Sequence, residues 1–320
     1  MKSAIVLGAG GFIGGHLAYF LKEKGFYVVG VDIKESEFRT FGGDQFILAD
    51  LRDYGKVEQV IPENVDQVYQ LAADMGGSTY INTGDHDADV MSNSCLININ
   101  VLKRCAVVRP KQIFYSSSAC VYPEHNQLDP NNPICTESSA YPADPDSEYG
   151  WEKLFSERLY LTFARNYGLD VRIARFHNIF GPYGTFSGGR EKAPAALCRK
   201  VANCYTGDII EVYGDGLQTR SFLYIDECLE GIWRLMKSMN FKGPVNIGSE
   251  RLISINDLAR LIIQISGKNI KINNVAFKGV GVRGRNSDNT MIREKLSWRP
   301  EERLEKGLEL TYHWIKEQLD

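Results

Sequence analysis

The chain has 320 residues, 43% of them hydrophobic and 24% charged, with a formal net charge of −3. That length buries a sizeable core in one large or two modest domains, and 37 Lys and Arg against 40 Asp and Glu argue against a nucleic-acid partner and against any overall field that would steer an anionic substrate. No apolar run approaches the ~20 residues of a membrane span, and Met1-Lys2-Ser3 leads straight into a strand-like run with no room for a signal peptide.

The apolar run Ala4 to Leu7 is followed by Gly8-Ala9-Gly10-Gly11-Phe12-Ile13-Gly14. A helical pattern with Leu17, Phe20 and Leu21 comes next, then a second apolar run, Tyr27 to Val31, ending in Asp32. Strand, glycine-rich turn, helix, strand and acid in this order make a dinucleotide site, because the glycines permit a tight turn and close approach of the backbone to a pyrophosphate at the helix N-terminus. Asp32 is placed to accept hydrogen bonds from an adenosine ribose and repels a 2′-phosphate, which favours NAD over NADP. A glycine-rich turn serving packing alone is the alternative. Gln45 to Ala49 reads as a third strand ending at Asp50-Leu51-Arg52, where Asp50 either meets the adenine amino group or caps a helix.

Val65 to Leu71 reads as a buried strand running into Ala72-Ala73-Asp74-Met75-Gly76-Gly77, whose small residues let a cofactor and a sugar approach the backbone. Ser78 to Asp87 reads as a loop, and Ala88 to Val107 as a long helix with a stripe of Met91, Cys95, Ile99 and Leu102 turned to the core or to a partner helix. Gln112 to Ser116 is the next strand and brings Ser118 to its C-terminal edge. Val121 to Asp146 is rich in Pro, Asn and Asp without periodicity, a long loop beside the site. Ser147 to Arg165 reads as a helix and Val171 to Arg175 as a strand leading into Phe176-His177-Asn178. This alternation predicts an α/β fold with a Rossmann-type doubly wound parallel sheet.

Beyond Asn178 the regularity breaks. A Gly-rich loop (Gly184 to Lys192) precedes a helix over Ala193 to Tyr205 and strands over Ile209 to Tyr213 and Arg220 to Tyr224 around Gly214-Asp215-Gly216. A helix over Cys228 to Met239, a short strand over Val245 to Ile247, a helix over Ile255 to Ser266 and a strand near Ile270 follow. The basic loop Val280 to Arg285 and an amphipathic helix from Leu304 complete the chain. The expected division is an NAD-binding domain over 1–175, with a return around 220–240, and a smaller mixed α/β substrate lobe over 176–320. The seven cysteines (95, 105, 120, 135, 198, 204 and 228) form no CxxC pair and no metal-ligand spacing. Free thiols in a reducing cytoplasm, with no metal, are expected.

Tyr149 and Lys153 stand four apart on the predicted helix, a spacing that puts both on one face. A Tyr is a poor base with an ordinary pKa of ~10, and a neighbouring ammonium and a cationic nicotinamide both favour the phenolate. With the Ser118 hydroxyl beside them, the three polarise a secondary alcohol while its carbon is oxidised. Y-x-x-x-K is common by chance, and the dinucleotide site gives it meaning.

Gly8, Gly11 and Gly14 in GxxGxxG spacing, Leu71-Ala72-Ala73, Ser118 and Tyr149-x-x-x-Lys153 resemble the extended short-chain dehydrogenase/reductases acting on nucleotide sugars. Val245-Asn246-Ile247-Gly248 and Leu296-Ser297-Trp298-Arg299-Pro300 are similar to later markers of that group, so the resemblance covers nearly the whole chain. Four idiosyncratic stretches resemble the GDP-mannose 3,5-epimerases within it: Ala73-Asp74-Met75-Gly76-Gly77, the run from Ser117 to Glu124 (SSACVYPE), the run from Gly188 to Ala196 (GGREKAPAA) and the run from Gly281 to Asn289 (GVRGRNSDN). The closing run Tyr312 to Gln318 also matches.

The resemblance implies an isomerase that converts GDP-D-mannose to GDP-L-galactose, with GDP-L-gulose as the product of inversion at C5 alone. It implies transient C4 oxidation with tightly bound NAD through Tyr149, Lys153 and Ser118, which acidifies the C–H bonds at C3 and C5, and re-reduction after inversion. Cys120 is then the base and Lys192 the acid of the inversion. By residue type alone Cys120 reads as a buried structural thiol and Lys192 as a solvated charge. Cofactor contacts carried over fall on Gly8, Gly11, Phe12, Ile13, Gly14, Asp32, Asp50, Leu51, Leu71, Ala72, Ala73, Asn93, Tyr149, Lys153 and Phe176. Substrate contacts fall on Gly76, Ser118, Ala119, Cys120, Asn178, Glu191, Lys192, Ala193, Lys200, Gln218, Thr219, Arg220 and Arg285. Plant members continue into a tail where this sequence ends shortly after Gln318, so the diphosphate is expected to rely on the chain's own Lys and Arg, with Arg283 an alternative to Arg285. The resemblance also implies a homodimer built on helices 88–107 and 147–165.

Three other readings compete. A C4-epimerase needs only Ser118, Tyr149 and Lys153. A 4,6-dehydratase is expected to carry Asp-Glu where this chain has Ala119-Cys120. An NAD-sensing regulator is expected to lose the Tyr or the Lys, and this chain keeps both.

Overall fold

A computed structural model describes residues 1–277, 281–301 and 303–319, without the side chains of Ser78 and Thr79. In chain order the elements are β1 (Ser3–Leu7), α1 (Phe12–Glu23), β2 (Tyr27–Asp32), β3 (Gln45–Leu48), α2 (Tyr54–Val60), β4 (Gln67–Gln70), α3 (Ser78–Ile81), α4 (Asp87–Val108) and β5 (Gln112–Ser118). Next come α5 (Glu148–Tyr167), β6 (Val171–Phe176), β7 (Ile179–Phe180), α6 (Ala193–Ala202), β8 (Ile209–Tyr213), β9 (Thr219–Arg220), β10 (Leu223–Tyr224) and α7 (Ile225–Lys237). The chain closes with β11 (Val245–Ile247), β12 (Ile253–Ser254), α8 (Ile255–Ser266), β13 (Lys271–Val275), β14 (Gly284–Arg285), α9 (Thr290–Leu296) and α10 (Leu304–Leu319).

Seven strands form one sheet in the order β11-β6-β5-β4-β1-β2-β3, and every pairing in it is parallel. Helices cover both faces, so the central strands lack polar alternation: Ala4 to Leu7 and Ile113 to Tyr115 are all buried. One face packs Leu17, Leu21, Leu229 and Ile232, and the other packs Val57, Val101, Leu102 and Tyr160. The smaller layer is built from short pairs, β8 with β13 and β12-β9-β14. No helix among the described residues is long and apolar enough to cross a membrane, and all seven cysteines are unpaired.

The doubly wound parallel sheet is as expected, and the departures are local. Ser78 to Ile81 is a turn of helix rather than loop. On α4 the buried line runs through Val90, Ser94, Ile97, Val101 and Leu102, while Met91, Cys95 and Ile99 are half-buried along its flank. The single strand expected over Arg220 to Tyr224 is two, β9 and β10, which join different sheets. Gly214-Asp215-Gly216 does not close a hairpin, because β8 pairs in parallel with β13. The loop from 121 to 146 carries two 3-10 turns, at Glu124–Gln127 and Glu137–Ala140. Of the basic loop, Val280 lies outside the described residues and Gly284–Arg285 is β14, parallel to β9.

A buried ion pair ties α5 to the sheet. Arg175 on β6 donates through Nε and Nη2 to the two carboxylate oxygens of Glu157 at 2.9 and 2.8 Å. Ser117 Oγ, one residue before the end of β5, donates to the same carboxylate. The bidentate geometry offsets the desolvation of both charges and fixes α5 against the strand edge.

Candidate active site

β5 ends at Ser118, whose Oγ accepts from Cys120 N at 3.2 Å. A 3-10 turn over Ala119–Val121 carries the chain back over the start of α5. Ser147 caps that helix by accepting from Gly150 N at 3.3 Å. A Cβ on Gly150 would lie 2.2 Å from the Cys120 carbonyl oxygen, so a glycine is required where turn and helix meet.

Tyr149 and Lys153 follow on one face of α5, 6% and 2% exposed. The Lys153 ammonium donates to Ser116 O at 3.1 Å and stands 5.1 Å from the Tyr115 ring centre and 5.7 Å from that of Tyr149. Burial pushes the Tyr149 phenol far up, with Cys120 and Glu152 adding to it and a hydrogen bond with Ser118 opposing. Burial also pulls the Lys153 ammonium down. Without the cofactor desolvation is the largest influence on the phenol, and Lys153 gives its hydrogen bond to a backbone carbonyl.

A cavity of about 320 Å³ opens at the C-terminal edge of the sheet, where open α/β sheets bind ligands. Ser118, Cys120 and Tyr149 line it from the sheet side, and Lys192, Lys200, Gln218, Arg220 and Arg285 line it from the smaller layer. Gly76 lines it too, and the turn behind it is tied across the cavity by Gly77 N donating to Arg190 O at 2.9 Å. Lys192 is the residue before α6. Burial lowers its ammonium while Cys120 and Cys228 pull the other way. Arg285 Nη1 donates to Cys120 Sγ at 3.0 Å.

The remaining residues expected at the substrate divide between the cavity wall and its supports. Glu191 accepts from Gly189 N and from Arg199 Nη2, at 2.7 and 3.2 Å, and Ala193 opens α6. Asn178 sits at φ +43 and donates to Ser221 O at 3.0 Å. Gln218 donates to Tyr213 O at 3.0 Å while its own Oε1 is buried without a partner. Thr219 Oγ1 donates to the Pro130 carbonyl. Lys200 donates to Glu211 O at 2.7 Å and lies 4.7 Å over the Tyr213 ring, which stacks on Phe277 at 4.6 Å. Arg220 is brought down to about 10 by burial and by the facing Arg285. Arg283 pairs with Asp215 at 3.1 Å on the half-exposed rim, so it is neither in the cavity wall nor merely solvated.

At the other end, the glycine turn fits a dinucleotide. A Cβ on Gly14 would meet Gly8 O at 2.1 Å, so backbone packs on backbone. Gly11, the N-cap of α1, offers no side-chain cap, and the first N–H groups of Phe12 and Ile13 are left for an anion. Asp32 ends β2 and accepts from Gly10 N at 3.0 Å and Ile33 N at 2.7 Å. Leu71 and Ala72 lie against Gly8, Ala73 follows them, and Phe176 ends β6 beside the cavity. Leu51 is core. Asp50 is not a helix cap, since Asp53 caps α2. Instead Arg52 holds the Asp50 carboxylate at 2.7 Å and reaches Asn93 Oδ1 at 3.0 Å, and Asn93 donates to Asp74 at 2.9 Å.

Sequence reasoning missed Asp146 and Gln127, which both bind Arg285. Both lie in the segment read as an unstructured loop. The available signal for Asp146 was its place immediately before the Ser147 cap.

The profile of the NAD dependent epimerase/dehydratase family matches residues 4–248. GDP-mannose 3,5-epimerase of Arabidopsis thaliana is 47% identical over 98% of this chain and 82% of its own length, and UDP-glucuronic acid decarboxylase 1 of Xenopus tropicalis is 28% identical over 100% and 73%. Among solved structures, UDP-glucose 4-epimerase of Thermotoga maritima with UDP-glucose superposes with a TM-score of 0.88 at 25% identity over the whole of both chains. UDP-glucuronic acid 4-epimerase of Bacillus cereus, with UDP-glucuronic acid and NAD, gives 0.81 at 26% identity over 99% of this chain and 100% of its own. With the fold, the glycine turn and the Ser118, Tyr149 and Lys153 trio all in place, the chain belongs to the NAD-dependent epimerase/dehydratase family.

Proposed function

We propose that the protein is a GDP-mannose 3,5-epimerase: it binds NAD and GDP-D-mannose and inverts C3 and C5 of the hexose to give GDP-L-galactose. The observation that carries this reading is that Cys120 and Lys192 line the same cavity as Tyr149 and Ser118. A C4-epimerase has no use for a thiol and an amine there, and a 4,6-dehydratase needs carboxylates where Ala119 and Cys120 stand. The 47% identity to the plant enzymes adds support.

A bound NAD would supply hydride acceptance from C4 and hydride return to it. The residues that would hold it are the glycine turn from Gly8 to Gly14, Asp32 at the ribose, and Ala72, which lies against the first glycine, with Ala73 after it. Tyr149 takes the C4 hydroxyl proton and gives it back at the end, and Ser118 holds the C4 oxygen. The resulting C4 ketone makes the C–H bonds on both sides acidic. Cys120 removes the proton at C5 or C3 and leaves an enolate, and Lys192 protonates the opposite face. A nearby diphosphate raises the value of the cationic wall of Lys200, Arg220 and Arg285. The division of labour follows the two layers: residues 1–175, with the return through α7, bind NAD, and 176–320 bind the nucleotide sugar.

The protein is also proposed to be a cytoplasmic homodimer. Its unpaired cysteines suit a reducing compartment, and the exposed Leu96 on α4 with Trp151 and Phe155 on α5 give an apolar face for a second copy. Incubation with GDP-mannose and chromatography of the released sugars tests the reaction. L-galactose or L-gulose is expected. Recovery of D-mannose alone, or of D-talose from inversion at C4, overturns it. Light scattering tests the dimer, and a monomer at micromolar concentration counts against it.

A further inference from the structure

Arg285 is held on three sides. Its Nε donates to Gln127 Oε1, its Nη1 to Cys120 Sγ at 3.0 Å and its Nη2 to Asp146 Oδ1 at 3.2 Å. Gln127 cannot turn its amide round, because its Nε2 is already spent on the carbonyls of Tyr122 and Pro123 at 3.0 and 3.1 Å. Arg285 and Asp146 are 9% and 8% exposed at their side chains. In such a setting a carboxylate and a guanidinium hold one another strongly, since water does not compete.

The register of the short strands makes a second anchor for the guanidinium necessary. Arg285 lies directly opposite Arg220, and the two cations repel. Gln127 holds only Nε, so the Asp146 oxygen on Nη2 is the second anchor that keeps Arg285 in place beside Arg220. The other groups facing Cys120 are Tyr149 and Lys153 on α5, Lys192 ahead of α6 and Arg220 on β9. Among the described residues only Arg285 makes a hydrogen bond to its sulfur.

We propose that Asp146 is a positioning residue for Cys120: it fixes the Arg285 guanidinium against Sγ, keeps the sulfur an acceptor, and so assigns the proton-abstracting role to Cys120 and the proton-donating role to Lys192. The assignment deepens the epimerase reading and rests on it. In the step itself the C–H bond breaks, the proton goes to sulfur, and the electron pair moves into the enolate. A Lys192 N–H bond then breaks as the new C–H bond forms on the opposite face. Asp146 touches neither substrate nor the migrating proton; it acts through Arg285.

The test uses the full chain without substrate and follows alkylation of Cys120 by iodoacetamide from pH 5 to 9, read by mass spectrometry of the Cys120 peptide. Asp146→Ala frees Arg285 to move away from Arg220, so the pH of half-maximal alkylation rises by half a unit or more and the rate at pH 6.5 falls at least threefold. Asp146→Asn keeps an oxygen for Nη2, and its midpoint stays at or below that of the wild type. If the alanine variant does not fold, Asp146→Ser, whose hydroxyl is too short to reach Nη2, gives the same reading. An alanine or serine profile that superposes on the wild type, or an Asn profile that rises with them, overturns the proposal. Because alkylation needs no nucleotide sugar, failure to make an L-sugar would remove the epimerase reading without altering this result.

Discussion

The carbonyl oxygen of Cys120 lies 2.2 Å from where a Cβ on Gly150 would stand, so the helix that carries Tyr149 and the turn that carries Cys120 meet through the one residue that has no side chain. Redox and acid–base groups are thereby brought to one cavity from two different elements. Gly150→Ala must push turn and helix apart. It is expected to cost about 1–3 kcal/mol of stability, as overpacking does, and to lower turnover by more than tenfold with NAD affinity nearly unchanged. Chemical denaturation, calorimetry with NAD and a product assay check the three parts. A fully active alanine variant would show that the close approach has no bearing on the site.

Tyr149→Phe removes the phenol that exchanges a proton with the C4 oxygen. Lys153 keeps its partner, since it donates to Ser116 O and not to the phenol, while Ser118 loses its hydrogen bond with the phenol. The expected outcome is NAD bound as in the wild type and turnover reduced by roughly 10²–10⁴, the usual worth of a general base. Near-normal turnover would place the oxidation step on another group.

How much of this was legible in the sequence depends on the range of the interaction. The parallel sheet and the glycine turn could be read because buried strands are continuous apolar runs and a pyrophosphate demands small residues at fixed spacing. Tyr149 and Lys153 could be paired because helical periodicity is local. Asp146, Gln127 and Arg285 could not, because their meeting spans 139 and 158 residues and nothing local encodes it. The split of Arg220 to Tyr224 into two strands was hidden for the same reason, since β9 is defined by partners at 253–254 and 284–285.

The pair Arg175 and Glu157 is 2% exposed at both side chains. Glu157→Ala leaves the guanidinium buried without a counter-charge and is expected to cost about 3–5 kcal/mol. Urea denaturation gives the number directly. A loss under 1 kcal/mol would mean that water reaches Arg175 and the pair does not hold α5 to the sheet.

His177 is fully buried, with Nε2 2.9 Å from Asn246 Oδ1, and burial brings its pKa down to about 3. An unfolded histidine titrates near ~6.5, so below that pH the unfolded chain binds a proton the folded one refuses, and stability falls as pH drops from 6.5 towards 3. Between pH 7 and 5 this one residue should remove about 2 kcal/mol. The His177→Gln variant should lose that much less than the wild type over the same interval. Parallel stability curves for the two proteins would mean that His177 takes up its proton without unfolding.

Cys120→Ala separates inversion from redox. Neither Cys120 nor Lys192 is needed to oxidise C4, so this variant should still exchange a C4 deuterium label with bound cofactor while making little or no L-sugar. Cys120→Ser should be similarly impaired, because a hydroxyl does not ionise near neutral pH. Solvent deuterium gives a second readout: the wild type should wash label into C3 and C5, and Cys120→Ala should not. Lys192→Ala should differ from it in kind, since the base remains and the enolate still forms. Its product should carry solvent label without inversion, returned to the face from which Cys120 removed the proton. A Cys120→Ala enzyme that exchanges and inverts at the wild-type rate would reduce Cys120 to a structural thiol, and the function would retreat to C4 oxidation of a nucleotide sugar with some other outcome.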